Sequence, residues 1–210
     1  MSFLFFERWK KNRNLQNLKD KDFSFLFDED LSGEYVVFDT ETTGLDPKND
    51  EILSIGAVKI KDNRILTSET FEVYLKNAKD ISSKSIVIHG IRACDLEDAK
   101  DPEIAIKEFL YFIGARTLVG YYLEFDTEMI NRYIKPMLGI TLPNPMIEVS
   151  EIYFDRTITL IPQGNIDLRF DTILKNCDLP NMGAHNAVND AIMTAMIYLK
   201  LKNGYKPKTN

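Results

Sequence analysis

Cysteine is scarce in this sequence, and the two that occur, Cys94 and Cys177, are far apart. They supply neither the dense cross-linking of a small secreted domain nor the paired spacing of a zinc site. The cysteine content therefore excludes a disulfide scaffold, and a reducing cytoplasm is the expected location.

Long hydrophobic runs are also missing. A membrane-spanning helix needs about 20 predominantly apolar residues, and no stretch of this chain meets that requirement. The apolar start at residues 3–6 is shorter than a signal-peptide core, has no preceding positive charge and continues into Glu7-Arg8. The sequence predicts neither a membrane partner nor a secretory leader.

An excess of positive charge is missing as well, because the formal net charge is −6 at pH 7. Binding to nucleic acid usually draws on a basic surface. Basic residues nevertheless cluster in residues 7–21 and in the tail after Tyr198. Either cluster could contact phosphates, although solvated termini are the simpler explanation for both.

The chain has 210 residues, 44% of them hydrophobic, which is enough to bury the core of one domain. Alternation of apolar and polar residues predicts strands over 35–41, 52–60 and 65–75, with 61–64 connecting the last two as a hairpin. The elements predicted to follow are a helix opened by Asp101-Pro102, a short strand at Leu118, a helix from Asp126 towards Met137, a strand over 146–149, a helix over 168–176 and a long final helix. This order indicates an α/β fold with a mixed sheet.

Asp39 and Glu41, one residue apart at the end of the first predicted strand, form the most informative pattern. Side chains alternate along a strand, so both carboxylates point to one face. A fold tolerates such close like charges most easily where a cation bridges them, and oxygen ligands favour Mg²⁺ or Mn²⁺. An isolated pair is more often simply solvated, so the pair decides nothing alone.

Further candidates lie far along the chain. His185 and Asp190 flank the start of the final predicted helix, where one can take a proton and the other can ligate a metal. Asp126 follows the short apolar strand, although Asp is also a common residue at helix starts. A site beneath the final helix could receive these groups together with the pair on the first strand.

Together these residues resemble the DnaQ-like proofreading exonucleases, called DEDDh after four carboxylates and a histidine. The match runs in order through Asp39-x-Glu41-Thr42-Thr43-Gly44, Phe125-Asp126 and His185-x-Ala187-x-x-Asp190, and spans about residues 34–201. As a set these motifs are specific, unlike any one of them alone. The resemblance implies a ribonuclease-H-like sheet flanked by helices.

Three segments follow from this interpretation. Residues 1–32 form a helical extension packed on the domain, residues 33–203 form the DEDDh exonuclease domain, and residues 204–210 form a basic tail. The extension is also the expected docking segment if a polymerase or another protein is a partner.

The resemblance also implies two divalent cations, Mg²⁺ or Mn²⁺, in each site. Asp39 would contact both cations, and Glu41 and Asp190 would complete the site of the attacking water. Asp126 would hold the other cation, largely through water. His185 would deprotonate the nucleophile.

Substrate contacts are implied by the same resemblance. Thr43, Gly44 and Leu45 would line the terminal nucleotide, with Leu45 as an apolar wedge against its base. His89 matches the His-Gly segment of the family, although a packed or capping histidine is an equal alternative there. The chain departs from many relatives at Tyr121-Tyr122, where they carry His-Asn, so this contact is altered or replaced by stacking.

The sequence therefore predicts a metal-dependent 3′–5′ exonuclease that releases nucleoside 5′-monophosphates in replication proofreading or repair. A nucleic acid with a free 3′ end is the expected partner, with DNA favoured over RNA. An enzyme that trims RNA 3′ ends or degrades oligoribonucleotides would use the same residues, so it remains an alternative. A non-catalytic nucleic-acid-binding module is disfavoured because the full set is present.

Overall fold

The computed structural model describes residues 11–76, 86–87, 90–160, 165–183 and 185–208. Five strands form one sheet in the order β3-β2-β1-β4-β5. The strands are β1 (Glu34–Thr42), β2 (Ile52–Lys61), β3 (Arg64–Tyr74), β4 (Thr117–Gly120) and β5 (Met146–Glu148). The sheet is mixed, as predicted, because β1, β2 and β3 pair antiparallel while β4 and β5 add in parallel.

The predicted hairpin between β2 and β3 is present. Asp62 and Asn63 form its turn with φ values of 49° and 59°. Asp and Asn tolerate this left-handed backbone, which matches the twist of a two-residue hairpin. The short connection fixes the register of β2 against β3.

Five α-helices lie after residue 100: α1 (Pro102–Ile113), α2 (Leu123–Leu138), α3 (Val149–Ile158), α4 (Phe170–Asn176) and α5 (Ala187–Lys202). The Asp101 side chain caps α1 by accepting from the amide of Glu103, which confirms the predicted cap. Two predicted helix starts were wrong and one helix was not predicted. The structure begins α2 at Leu123, before Asp126, and starts α4 at Phe170 rather than at 168. The helix α3, which directly follows the three-residue β5, was not predicted.

The sheet buries a separate core on each face. Phe38 of β1 packs with residues of α1 and α2, whereas Val37 packs with residues of α3, α4 and α5. Because side chains alternate along β1, Thr40 follows Phe38 to the α2 face, and Asp39 and Glu41 follow Val37 to the α5 face. Helix α2 therefore reaches the end of β1 from one face of the sheet, and helix α5 reaches it from the other.

Residues 11–32 pack against the α1 and α2 side of the domain. A helical segment over 11–17 is followed by a 3₁₀ helix, Lys21–Phe27, and Leu18, Phe23 and Leu26 are buried in that core. The Asn14 side chain also donates to the carbonyl of Thr141 at 2.8 Å. No described helix has the length and apolar character needed to cross a bilayer.

Candidate active site

Three carboxylates meet at the end of β1. Asp39 and Glu41 lie on one face of the strand, Asp190 comes from α5, and one oxygen from each lies within 4.8 Å of the others. Glu41 is buried and the other two are half-buried. The predicted convergence of the strand pair with the helix is therefore present. An irregularity in the pairing of β1 with β2 follows Glu41 directly.

Gly56 allows α5 to approach the strand pair. It lies opposite Asp39 in the register of β1 and β2. A Cβ at this position would lie 2.2 Å from the backbone carbon of Ala187 and the backbone nitrogen of Val188. The first turn of α5 thus rests directly on the β2 backbone. A glycine inside a strand pattern signals such an approach, but sequence reasoning did not single out Gly56.

His185 and Asp190 are tied together at the start of α5. His185 adopts a left-handed backbone with φ of 68°, and its amide donates to Asp190 Oδ2 at 2.8 Å. The Asn186 side chain caps the helix by accepting from the amide of Asn189. These contacts place the exposed His185 side chain at the same cavity as the carboxylates.

Asp126 reaches the site from the opposite face of the sheet. It lies in the first turn of α2 and is 4% exposed. Its Oδ1 accepts from the amide of Thr40 at 3.1 Å and from the Thr40 hydroxyl at 2.5 Å. Thr40 is the residue between Asp39 and Glu41, so β1 holds two of the acids and orients a third.

The four acids make an electrostatically costly cluster. Burial, followed by the charges of Asp126, Asp190 and Glu41, raises the pKa of Asp39 well above its ordinary value. Burial and the neighbouring acids raise the pKa of Glu41 to about 7. Burial raises the pKa of Asp126 to about 7 against the opposing hydrogen bonds from Thr40. Burial also raises the pKa of Asp190, opposed by the amide of His185.

These carboxylates fit a hard divalent cation. Asp190 Oδ1 is buried and has no hydrogen-bond partner among the described residues. A buried carboxylate oxygen normally has such a partner or ligates a metal. Oxygen donors in a cluster of like charge are the ligands that Mg²⁺ and Mn²⁺ prefer. Asp39, Glu41 and Asp190 could therefore supply ligands to such a cation, and Asp126 lines the same cavity.

The loop after β1 divides the predicted substrate contacts. Gly44 and Leu45 line the cavity, and the Leu45 side chain is 86% exposed. The Thr43 hydroxyl instead donates to Asp50 Oδ1 at 2.9 Å and so braces the loop. The Asp50 carboxylate also lies against Gly44, since a Cβ there would be 2.6 Å from Asp50 Oδ2. His89, the remaining predicted contact, lies outside the described residues.

The cavity has a volume of about 410 Å³. We call Asp39, Glu41, Asp126 and Asp190 its acidic wall. We call Tyr121, Tyr122, Phe125 and Phe170 its aromatic wall. Sequence reasoning identified the tyrosine pair but not Phe170, because α4 is remote in sequence and only the fold brings it to the site.

Known proteins are similar to most of this chain. Residues 36–198 match the family model RNase_T, described as Exonuclease. A PolC-type DNA polymerase III from Caldanaerobacter subterraneus is 36% identical over 171 residues, which cover 81% of this chain and 12% of that protein. The chain thus spans about 12% of the length of this relative.

Shorter relatives match over most of their own length. The DNA polymerase III epsilon subunit of Rickettsia prowazekii is 30% identical over 177 residues, covering 80% of this chain and 74% of that protein. The epsilon subunit of Aquifex aeolicus is 28% identical, with 81% of both chains covered.

Solved structures share the fold at lower identity. A structure of exonuclease I aligns with a TM-score of 0.68 at 17% identity, covering 81% of this chain and 41% of that one. Cell-death related nuclease 4 aligns with a TM-score of 0.71 at 17% identity, covering 83% and 66% of the two chains. The family match, the related epsilon subunits and the geometry of the acidic wall agree: the chain belongs to the DnaQ-like exonuclease family.

Proposed function

We propose that this chain is a divalent-metal-dependent 3′–5′ exonuclease that removes nucleoside 5′-monophosphates from DNA during replication proofreading or repair. The observation that carries the proposal is the convergence of Asp39, Glu41 and Asp190 within 4.8 Å. The relatives include epsilon subunits and PolC-type enzymes of DNA polymerase III, which favours DNA and a replicative role. RNA remains the alternative substrate.

Asp39, Glu41 and Asp190 would hold one divalent cation, and Asp39 with Asp126 would hold the second. Two Mg²⁺ or Mn²⁺ ions in such a site stabilise the charge of the reacting phosphate and lower the pKa of the attacking water. The protein pre-organises the acids. Thr40 fixes Asp126 Oδ1 from one face of β1, and the amide of His185 fixes Asp190 Oδ2 from the other.

His185 would act as the general base. Its side chain lines the cavity, and its own amide donates to the Asp190 carboxylate, so the backbone that carries the ring keeps a fixed relation to this proposed ligand. An imidazole nitrogen would accept the proton from the attacking water as the water oxygen bonds to phosphorus and the bond from phosphorus to the 3′ oxygen of the preceding nucleotide breaks. The released 3′ oxygen would take a proton from solvent. The exposed imidazole ring could give the proton that it accepted back to solvent, leaving the base free for another cycle.

The loop after β1 would select the 3′ end of the nucleic acid. Leu45 presents an apolar surface at the cavity, and the Asp50 carboxylate braces the loop through the Thr43 hydroxyl and the amide of Asp46. A terminal nucleotide could stack against Leu45, whereas a continuing strand would need to pass through the loop. This arrangement favours cleavage from an end.

Digestion of end-blocked oligonucleotides tests the proposal. With Mg²⁺ or Mn²⁺, a single-stranded DNA blocked at its 5′ end should yield mononucleotides from the start, and one blocked at its 3′ end should resist. EDTA should stop the reaction. Cuts within circular single-stranded DNA would contradict an exonuclease, and efficient digestion of RNA alone would replace DNA as the substrate. Binding without hydrolysis under every metal condition would instead support the binding-module alternative.

The partner proposal concerns residues 1–32. We infer that a polymerase or another replication protein would dock through this extension, because the relatives named above are polymerase subunits or polymerases. Co-purification of the chain with and without residues 1–32 against the replicative polymerase tests this. Equal capture by both forms would exclude the extension as the docking segment.

A further inference from the structure

Tyr122 combines a strained backbone conformation with an exposed aromatic side chain. Its φ and ψ angles are 53° and 38°, in the left-handed region. A bulky residue such as Tyr is strained in this region, whereas Asn and Asp tolerate it better. The side chain is also 62% exposed. Burial of its own ring therefore does little to offset the strain.

The surroundings hold the Tyr122 ring at the cavity. Its centroid lies 4.7 Å from that of Tyr121 in an edge-to-face arrangement. Tyr121 is itself fixed, because its ring contacts Phe170 at 5.0 Å and its hydroxyl donates to the carbonyl of Leu168 at 2.8 Å. Tyr122 thus rests on an anchored neighbour and keeps most of its surface open.

Tyr122 is also linked to the acidic wall through the backbone. It is the N-cap residue of α2, and its carbonyl accepts from the amide of Phe125 at 2.9 Å. Asp126 is in the first turn of the same helix. The strained residue therefore sets the position of an aromatic ring relative to a proposed metal ligand.

The acidic wall of the same cavity explains why an uncharged contact is useful here. The acidic wall repels the phosphates of a nucleic acid wherever cations do not offset its charge. A nucleobase has a neutral π face, and stacking on an aromatic side chain binds it without electrostatic attraction. An exposed ring beside the acids can thus supply affinity that the acids cannot.

We propose that Tyr122 is a base-stacking residue that binds a nucleobase within the last two nucleotides of the substrate. The proposal rests on the proposed exonuclease function and assigns the residue that holds the strand at the site. The ring, rather than the hydroxyl, makes the contact. Any base could stack there, so the contact gives affinity with little sequence preference.

Two substitutions separate the ring from the backbone. Tyr122→Asn removes the ring but suits the left-handed backbone, so the start of α2 and Asp126 should keep their places. Tyr122→Phe keeps the ring and removes the hydroxyl. Tyr111→Ala is the matched control, because Tyr111 is 58% exposed on α1 and is not among the residues lining the cavity.

Fluorescence anisotropy with Ca²⁺ measures binding without turnover. The probes are a 5′-fluorescein-labelled single-stranded decathymidylate and the same strand with abasic sites at its last two 3′ positions. On the normal strand, Tyr122→Asn should raise the Kd about 5- to 100-fold, the range expected for loss of one base stack. Tyr122→Phe and Tyr111→Ala should stay close to wild type. On the abasic strand, Tyr122→Asn should bind like wild type.

Two results would overturn the proposal. Unchanged binding of the normal strand by Tyr122→Asn would remove the contact, and equal losses on the normal and abasic strands would assign Tyr122 a structural role. Digestion of the normal strand by wild type in Mg²⁺ is the companion measurement. Digestion with unchanged binding by the variant rejects only the role of Tyr122, whereas no digestion by wild type rejects the proposed function and this inference with it.

Discussion

The two walls of the cavity are built in different ways. The acidic wall comes from regular elements, with Asp39 and Glu41 on β1 and Asp190 on α5, and two buried cores fix these elements on either face of the sheet. The aromatic wall depends on a left-handed residue at the start of α2 and on the short helix α4. The proposed chemistry thus rests on regular elements with buried cores, and the proposed affinity for a base rests on a left-handed residue and a short helix.

The largest expected effect comes from breaking the acidic wall. Asp39→Asn or Asp190→Asn should lower kcat by at least about 10³-fold, because each removes a charged oxygen ligand from the proposed metal site. The melting temperature of the metal-free variant should equal or exceed that of the metal-free wild type, because one of the mutually repelling charges is lost. Asp62→Asn, in the hairpin turn, serves as the control. A variant of either ligand with a rate near wild type would remove that residue from the site.

The next effect tests the proton acceptor. His185→Asn should lower kcat by about 10²- to 10⁴-fold, the range for loss of a positioned general base. Asn suits the left-handed backbone at this position, so the amide contact to Asp190 should persist. Single-turnover rates at saturating metal measure the change. His89→Ala provides the comparison, and a greater loss there than at His185 would reverse the assignment.

A smaller effect is expected from disturbing the close approach of α5 to β2 at Gly56. Gly56→Ala should lower the free energy of unfolding by about 1–3 kcal/mol or more, because the new Cβ meets backbone atoms that cannot turn away. Activity should fall with it, since α5 carries Asp190. At Gly120 the three atoms nearest to the corresponding Cβ all belong to the Leu123 side chain. Gly120→Ala should therefore cost less stability in denaturant titrations, and the reverse order would contradict the close approach.

Sequence analysis predicted the parts of the fold with strong local signals. The alternation in β1 placed Asp39 and Glu41 on one face, and Asp101-Pro102 marked the start of α1. Other features depend on contacts between distant segments. Glu148 accepts from the amides of Leu123 and Ser150, so it stabilises the starts of both α2 and α3. Neither the early start of α2 nor the presence of α3 was apparent from local periodicity.

The same limit applies to the site. Motif order predicted the residues of the acidic wall, because the DnaQ-like pattern fixes them relative to a strand and two helices. The approach at Gly56 and the contact of Phe170 with Tyr121 require the register of β1 against β2 and the packing of α4. Such contacts between distant segments form only when the chain is folded.

The stability of the metal-free protein should depend on pH because of the acidic wall and not because of the aromatic wall. The folded-state pKa values of Glu41 and Asp126, each raised to about 7, mean that folding binds protons between about pH 4 and 7. The free energy of unfolding should therefore fall by about 3 kcal/mol or more as pH rises through this window. Ion-paired acids such as Asp95, whose pKa Arg92 lowers to about 2, titrate below it.

Melting curves between pH 4 and 8 check this dependence. Mg²⁺ should restore stability at the upper end, because a cation offsets the repulsion and binds only the folded state. Tyr122→Asn should leave the dependence of stability on pH unchanged, since it removes none of the four acids. If stability without metal did not change between pH 4 and 8, the buried acids would not have the raised pKa values that this prediction requires.

Calorimetric titration of the chain with Mn²⁺ at pH 7.5 tests whether Asp39, Glu41 and Asp190 form a metal site. Saturable binding of two ions per chain is expected, with Asp190→Asn losing at least one of them and Tyr122→Asn retaining both. Binding of Mn²⁺ by Asp190→Asn with the stoichiometry and affinity of wild type would contradict a metal site formed by Asp39, Glu41 and Asp190.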